Sequence, residues 1–288
     1  MKYGIREICD VVLKAKSTVK IGKTTFFEGM PVLYFDSLKT STMEGAATTV
    51  YAQGGRGNAR LVAWEGERTV TFTMEDALIS EMGLSVLTGA GLLDADEITG
   101  GMKVHATARY GKADDYACEE DVISGDTNYP IYVVELDKND NVLVTSTATF
   151  SGGKFVYTGT GETTKAFHAN TKAVMFDFYV NKTSGAKQIE ITADKFAGNY
   201  YLEASTLFRS ADGVDHPAEF VIPNCKIQSN FTFTMASSGD PSTFTFTMDA
   251  FPDYTKFDAT KKVFSVIQII EEEAPFVDKK EEEDEAQG

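Results

Sequence analysis

Short stretches in which apolar and polar residues alternate recur along most of the 288 positions, separated by clusters of Gly, Asp, Asn and Ser. A period of two sends successive side chains to opposite faces of an extended chain, so the pattern predicts a mainly β protein, an antiparallel sandwich or barrel. Three stretches show it best: Val70-Thr71-Phe72-Thr73-Met74, Phe231-Thr232-Phe233-Thr234-Met235 and Phe244-Thr245-Phe246-Thr247-Met248. In each, Phe and Met share one face and Thr the other, and a Thr face suits solvent, a second surface or a cross-strand Thr ladder. The second and third flank residues 236–242, where Gly239-Asp240-Pro241 supplies turn chemistry, which predicts a hairpin over 226–250. Alternation also predicts strands around 131–134 and 155–157, with a turn at Lys138-Asn139-Asp140-Asn141. Further strands are expected over 173–180, 187–192, 200–207, 218–222 (ended by Pro223) and 263–269.

Helical spacing is rare. Leu78, Met82 and Val86 recur every four residues behind Glu75 and Asp76, with Gly89 and Gly91 beyond, which predicts one helix over 75–87. Gly83 in its interior weakens it by about 1 kcal/mol. A shorter helix is expected over 5–13, with Ile5, Ile8, Cys9 and Val12 on one side. Two stretches read as irregular. Gln53-Gly54-Gly55-Arg56-Gly57-Asn58 is a flexible loop between strands ending near Tyr51 and beginning near Trp64. Residues 112–127 hold six acidic side chains and few large apolar ones, and read as a linker or surface excursion before a small β subdomain.

Composition narrows the picture. No apolar run approaches the length of a membrane-spanning helix, and residues 1–12 lack the apolar stretch of a signal peptide. Cys9, Cys118 and Cys225 are odd in number and far apart, which predicts reduced thiols and neither a disulfide framework nor a zinc site. The formal net charge is −16, of which residues 271–288 contribute −7 through nine acidic side chains against Lys279 and Lys280; the rest of the chain holds −9. Such a chain repels polyanions, so tight DNA binding is not expected, while DNA sliding past it without adhering is compatible.

No constellation for catalysis assembles. His216 sits among turn-formers in Asp212-Gly213-Val214-Asp215-His216-Pro217, with no nucleophile or metal nominated beside it. Asp137-Lys138-Asn139-Asp140-Asn141 begins like a calcium loop, but Val142 stands where the loop needs Gly and Ala148 where it needs the bidentate Glu. Gly22-Lys23-Thr24 ends like a P-loop whose first glycine is Ser17. Arg209 with Asp212 and Asp215 reads as a local ion-pair network. The expectation is therefore no catalytic residue, no cofactor and no metal. A β chain of this kind works through surfaces, and its exposed strand edges must be paired or covered, for instance by sister copies in a ring.

Residues 41–92 carry a resemblance. A strand, a long loop at 44–58, a second strand and Val70-Thr71-Phe72-Thr73-Met74 leading into the helix and a Gly resemble the order in bacteriophage major tail-tube proteins. Phe220-Val221-Ile222-Pro223 with the 226–250 hairpin is similar to that family's closing strands, and Gly54-Gly55-Arg56-Gly57-Asn58-Ala59-Arg60-Leu61 is similar to stretches of phage tail proteins. The resemblance implies a tail-tube β-sandwich or barrel with one flanking helix, formed by 1–111 together with 170–270. Residues 112–169 would be an inserted β subdomain and 271–288 an acidic arm. It implies six copies in a ring and rings stacked into a hollow tube in the virion tail, assembled in the host cytoplasm. DNA would pass through during ejection without specific binding. Glu44, Gly54, Gly55, Arg56, Gly57 and Asn58 would form an intersubunit loop. Sheath, tape-measure and baseplate proteins would be neighbours, and no membrane is involved. The alternatives are another virion part, such as a baseplate ring or capsid decoration, and a carbohydrate-binding adhesin module with an exposed aromatic platform.

Overall fold

The structure, a computed structural model, describes residues 2–5, 7–112, 115–157, 166–232, 237 and 243–271. These are mainly β with a single short α-helix, and the chain divides into two compact units, residues 1–92 with 189–288 and residues 93–188. The first passage through unit one forms β1 (Tyr3–Ile5), β2 (Asp10–Ala15), β3 (Val19–Ile21), β4 (Thr24–Phe26), β5 (Pro31–Phe35), β6 (Leu38–Gly54), β7 (Ala59–Asp76) and α1 (Glu81–Thr88). After β8 (Gly91–Asp94), unit two forms β9 (Met102–Gly111), β10 (Tyr116–Ala117), β11 (Ile131–Leu136), β12 (Val142–Ser151), β13 (Lys154–Val156) and β14 (Ala173–Lys182). After β15 (Lys187–Glu190), the chain completes unit one with β16 (Asn199–Ser210), β17 (Asp215–Ile227), β18 (Phe244–Ala250) and β19 (Val266–Ile269).

The sheet of unit one runs β5-β2-β16-β17-β18-β7-β6, with β1 also on β16 and β19 also on β17. Its ladders are antiparallel, as the alternation predicts. The apolar faces of two of the Phe/Thr ribbons meet in one core: Phe72 and Met74 of β7 and Phe246 and Met248 of β18 are buried, and the Phe35 ring lies 5.0 Å from that of Phe246. Burying each such side chain is worth about 1.5–3 kcal/mol. The third ribbon, Phe231 to Met235, does not form the predicted strand at its start, since Phe231 and Thr232 lie outside any ladder; its remainder and most of the 236–242 turn fall outside the described residues. The hairpin ladder that is present pairs Cys225, Lys226 and Ile227 with Ala250, Asp249 and Met248.

Several expectations are corrected. Glu75 and Asp76 do not open the helix expected over 75–87. They extend β7, which pairs with β18 on one side and β6 on the other, and two ladders outweigh a four-residue apolar spacing. The helix begins at Glu81, where the Ser80 hydroxyl accepts from the Gly83 N–H, and ends at Gly89 in the left-handed region. The expected helix over 5–13 is replaced by β1 and β2. Val11, Leu13 and Ala15 alternate into the core, while Ile5 is 65% exposed, so the period is two and not 3.6. Strand β17 does not end at Pro223. Leu202 pairs with Ile222 and Tyr200 with Cys225, so the proline sits at a bulge where its missing N–H breaks no ladder.

In unit two the sheet order is β10-β13-β12-β11-β14-β9. Strands β9 and β14 pair over ten positions, from Gly111–Ala173 to Met102–Lys182. The second unit therefore takes in strands that the sequence reading had placed in the core at 102–111 and 173–182; periodicity shows that a strand exists but not which partner it chooses. Residues 112–127, read as irregular, contribute the buried Tyr116 and a bridge from Val122 to Val180. The core packs Phe176 against Phe155 (4.5 Å, stacked) and Tyr116 (5.1 Å, edge-on). Glu135 lies fully buried within this unit. Its carboxylate accepts from the Tyr157 hydroxyl at 2.6 Å, the Thr171 hydroxyl at 2.5 Å and the His168 N–H at 2.9 Å.

Candidate assembly surface

Strands β6 and β7 are 17 and 18 residues long, far beyond the usual five or six. Only their roots belong to the sheet: β7 pairs with β18 from Thr71 to Asp76. Beyond that, residues 44–54 and 59–70 pair only with each other among the described residues. They form a two-stranded arm of roughly 30 Å at about 3.3 Å per residue. Both outer edges of the arm are unpaired among the described residues, and nearly all its residues are exposed. Isolated two-stranded ribbons are marginal in water, so the arm is a device that calls for a covering surface.

The sequence explains why the arm is a ribbon and not the loop expected at 44–58. Glu44-Gly45-Ala46-Ala47-Thr48-Thr49-Val50-Tyr51 carries small and β-favouring residues, and β7 offers a matching register: Val50 with Trp64, Tyr51 with Ala63, Ala52 with Val62. The loop proper is the tip, where Gly55, Gly57 and Asn58 take positive φ, and the Asn58 side-chain Nδ2 donates to the Gln53 side-chain Oε1 at 3.1 Å. A bulge lies midway, between Ala47 and Thr49. There Gly66 faces Thr48 so closely that a Cβ would sit 2.5 Å from its hydroxyl oxygen.

Cross-strand register divides the arm into two faces. Val50, Ala52, Val62 and Trp64 share one; Val50, Val62 and Trp64 are 62%, 48% and 55% exposed, and Trp64 is the chain's single tryptophan. Thr49, Tyr51, Gln53, Arg60 and Glu65 share the other, where the Arg60 guanidinium lies 4.1 Å over the Tyr51 ring. Of the residues expected in an intersubunit loop, Glu44 is a strand residue near the arm's root, Gly54 ends β6, and Gly55, Arg56, Gly57 and Asn58 are the exposed tip. The structure thus gathers Gly54 to Asn58 at one point and leaves Glu44 about an arm's length away. The apolar face was not singled out from sequence, although Val50/Ala52 and Val62/Trp64 flank a Gly-rich turn at mirrored spacing, which is a hairpin signal.

The remaining candidates do not converge on chemistry. His216 is buried with its ring 5.6 Å from that of Tyr3, and His105 pairs with Asp177 at 2.9 Å on an exposed strand face. Arg209 forms a bidentate pair with Asp215, both contacts at 2.6 Å, and its guanidinium holds that carboxyl below the ordinary value. The turn at 137–141 spends the Asp137 carboxylate on the Asn139 and Asn141 N–H groups and the Asn141 side chain. Among the described residues no group of three His, Cys, Asp or Glu side chains is arranged to hold a metal. The three cysteines are unpaired, and burial pushes the Cys225 thiol up to about 12, an inert state. A cavity is lined, among the described residues, by Leu87, Asn230, Phe231, Phe244 and threonines 232, 243, 245 and 247, none of them titratable.

The most developed surface feature of this β scaffold is a projecting arm that is uncovered among the described residues. The model of the YomU/Tube protein family matches residues 4–266, nearly the whole chain. The chain belongs to the YomU/Tube protein family, a match that agrees with the tail-tube resemblance and places it among components of the phage virion tail. No curated protein matches it.

Proposed function

We propose that the chain is the building block of a phage tail tube. Six copies close into a ring, and rings stack into the conduit through which DNA leaves during ejection. The observation that carries this reading is the arm of β6 and β7. A family match over residues 4–266 makes the chain a tube protein, and an arm with free edges and a bare apolar face is what a subunit needs when its wall is completed by another copy. The same patch on every copy meeting a different patch on the next is a heterologous contact, which closes rings or propagates along an axis. In this reading Glu44, Gly54, Gly55, Arg56, Gly57 and Asn58 belong to the intersubunit contact. The net charge of −16 keeps the conduit from holding DNA phosphates. Sheath, tape-measure and baseplate proteins are the expected neighbours, with assembly in the host cytoplasm.

The test is negative-stain electron microscopy of the purified chain across a concentration series. Rings of six and stacked tubes are the expected result. Monodisperse monomers at every concentration, with no particle in the presence of other tail proteins, defeat the reading. Copy number in the virion separates a tube subunit, present in many rings, from a baseplate ring, present once.

A further inference from the structure

The sheet of unit two has a second face that its own core does not use. Ile131 and Val133 of β11 are buried, so Tyr132 between them points to the opposite side, where it is 46% exposed. Register carries a row across four strands at this level: Thr107 of β9, Asp177 of β14, Tyr132 of β11 and Thr147 of β12 stand side by side. Both threonines are exposed. The His105 Nε2 lies 2.9 Å from one Asp177 oxygen and fixes the carboxylate in place, while the His105 ring rests edge-on against that of Tyr179 at 5.5 Å. The other Asp177 oxygen and the Tyr132 ring meet no partner among the described residues. The cations of this face are already spent. Lys103 donates to the Gly100 carbonyl and the Asn181 side chain, and Arg109 pairs with Asp140. The row therefore offers two hydroxyls, one oriented carboxylate acceptor and one open aromatic ring, with no free positive charge.

We infer that the row Thr107-Asp177-Tyr132-Thr147 is a binding site for a neutral oligosaccharide lying across the strands. A sugar ring stacks its C–H face on Tyr132, its hydroxyls donate to the free Asp177 oxygen, and Thr107 and Thr147 exchange hydrogen bonds with the rings on either side. Neighbouring strands lie about 4.8 Å apart, close to the advance of one pyranose along a glycan, so a chain laid across the sheet meets one member of the row per ring. Charge selects the ligand. A polyanion finds no unpaired cation here and meets a carboxylate at the centre of the row. A protein partner wants an apolar centre depleted of charge, and Asp177 occupies that place. A neutral polyol uses the acceptor that those two would leave unpaired. The inference stands apart from the tube reading: it gives unit two a ligand, whatever assembly unit one enters.

Affinity electrophoresis of the full chain through native gels holding amylopectin, dextran or hydroxyethyl cellulose decides the matter, together with calorimetric titration of maltohexaose, cellohexaose and the N-acetylglucosamine hexamer. At least one of these glycans binds saturably, and its affinity does not change when salt is raised to about 0.5 M, since a neutral ligand offers nothing to screen. Tyr132→Ala weakens binding by roughly tenfold or more, while Tyr132→Phe, which keeps the ring, retains it. Asp177→Asn, which removes the charged acceptor, weakens it several-fold. Phe257→Ala, at a 54% exposed aromatic of unit one, changes nothing. Tyr132 is open to solvent and outside the core, so the thermal midpoints of its two variants stay that of wild type. No saturable binding to any of these probes, or binding that survives both Tyr132→Ala and Asp177→Asn, overturns the inference. Retardation by an anionic polymer such as polyphosphate alone, lost at about 0.5 M salt, also overturns it, in favour of electrostatic capture. Particle formation by the wild-type chain is scored separately, so each of these outcomes leaves the tube reading where it was.

Discussion

Glu135 shows how a single buried side chain organises unit two. It sits in β11, in the alternation Ile131, Val133, Glu135 that otherwise faces the core. A carboxylate there is tolerated because three donors reach it, two of them from the turn at residues 168–171 that precedes β14. Burial pushes its pKa up, but the hydrogen bonds from Thr171, Tyr157 and the His168 N–H outweigh that and hold it below the ordinary carboxylate value. The folded pKa is therefore lower than the unfolded one, about 4.3. The group contributes stability that is complete above that value and is lost as pH falls through the folded pKa. Glu135→Ala leaves three donors unpaired and should cost about 3 kcal/mol or more. Hydrogen exchange is the measurement: faster exchange within residues 93–188, with β16 and β17 unaffected, is expected for the variant, and for wild type below about pH 4. Equal protection in both proteins would show that the carboxylate is structurally idle. None of this was legible in sequence, where Glu135 was one acidic residue in an alternating run.

At the scale of elements, α1 illustrates how local signals and ladders compete. Its stop at Gly89 was readable, since a glycine after an apolar stripe is the usual left-handed cap. Its start was not, because Glu75 and Asp76 look like a first helical turn until β18 and β6 claim them. The Asp76 carboxylate instead accepts from the Ser37 hydroxyl at 2.5 Å and tethers the entry to β6. Gly89 has a second duty: a Cβ there would lie 2.1 Å from the carbonyl carbon of Phe196, at a φ of +67°. Gly89→Ala therefore combines a backbone clash with strain, and a loss of 2 kcal/mol or more in urea unfolding is expected. Ser80→Ala, which removes only the cap to the Gly83 N–H, should cost about 1 kcal/mol in the same assay. Equal effects of the two would mean that the Phe196 backbone moves aside freely.

For the whole molecule, the division into two units with separate cores predicts how the arm can be altered. The arm contributes almost nothing to the buried residues of unit one, which are supplied by β2, β5, β16, β17, β18 and the roots of β6 and β7. Replacing residues 46–69 by a two-residue Asn-Gly turn keeps the register of Gly45 with Val70 and of Glu44 with Thr71 and spares the core. The shortened protein should unfold at the same denaturant midpoint as wild type and remain monomeric at concentrations where the full chain forms particles, as read by sedimentation velocity. Particles formed equally well without the arm would locate the assembly contact elsewhere, for instance at the edge of β5.

The sequence alone determined the class of fold, because a period of two survives whatever the strands pair with, and it located the glycine-rich tip, because only glycine and asparagine accept those backbone angles without strain. It also disclosed the acidic balance. Partner choice was decided only by tertiary structure. The assignment of β9 and β14 to the second unit, the rise of β7 through Asp76 and the passage of β17 across Pro223 all depend on hydrogen bonds between residues far apart in the chain. The arm required both levels. Alternation drew its strands, but the finding that Val50, Val62 and Trp64 are exposed among the described residues belongs to the fold, since a local pattern states which side is apolar and not whether anything covers it.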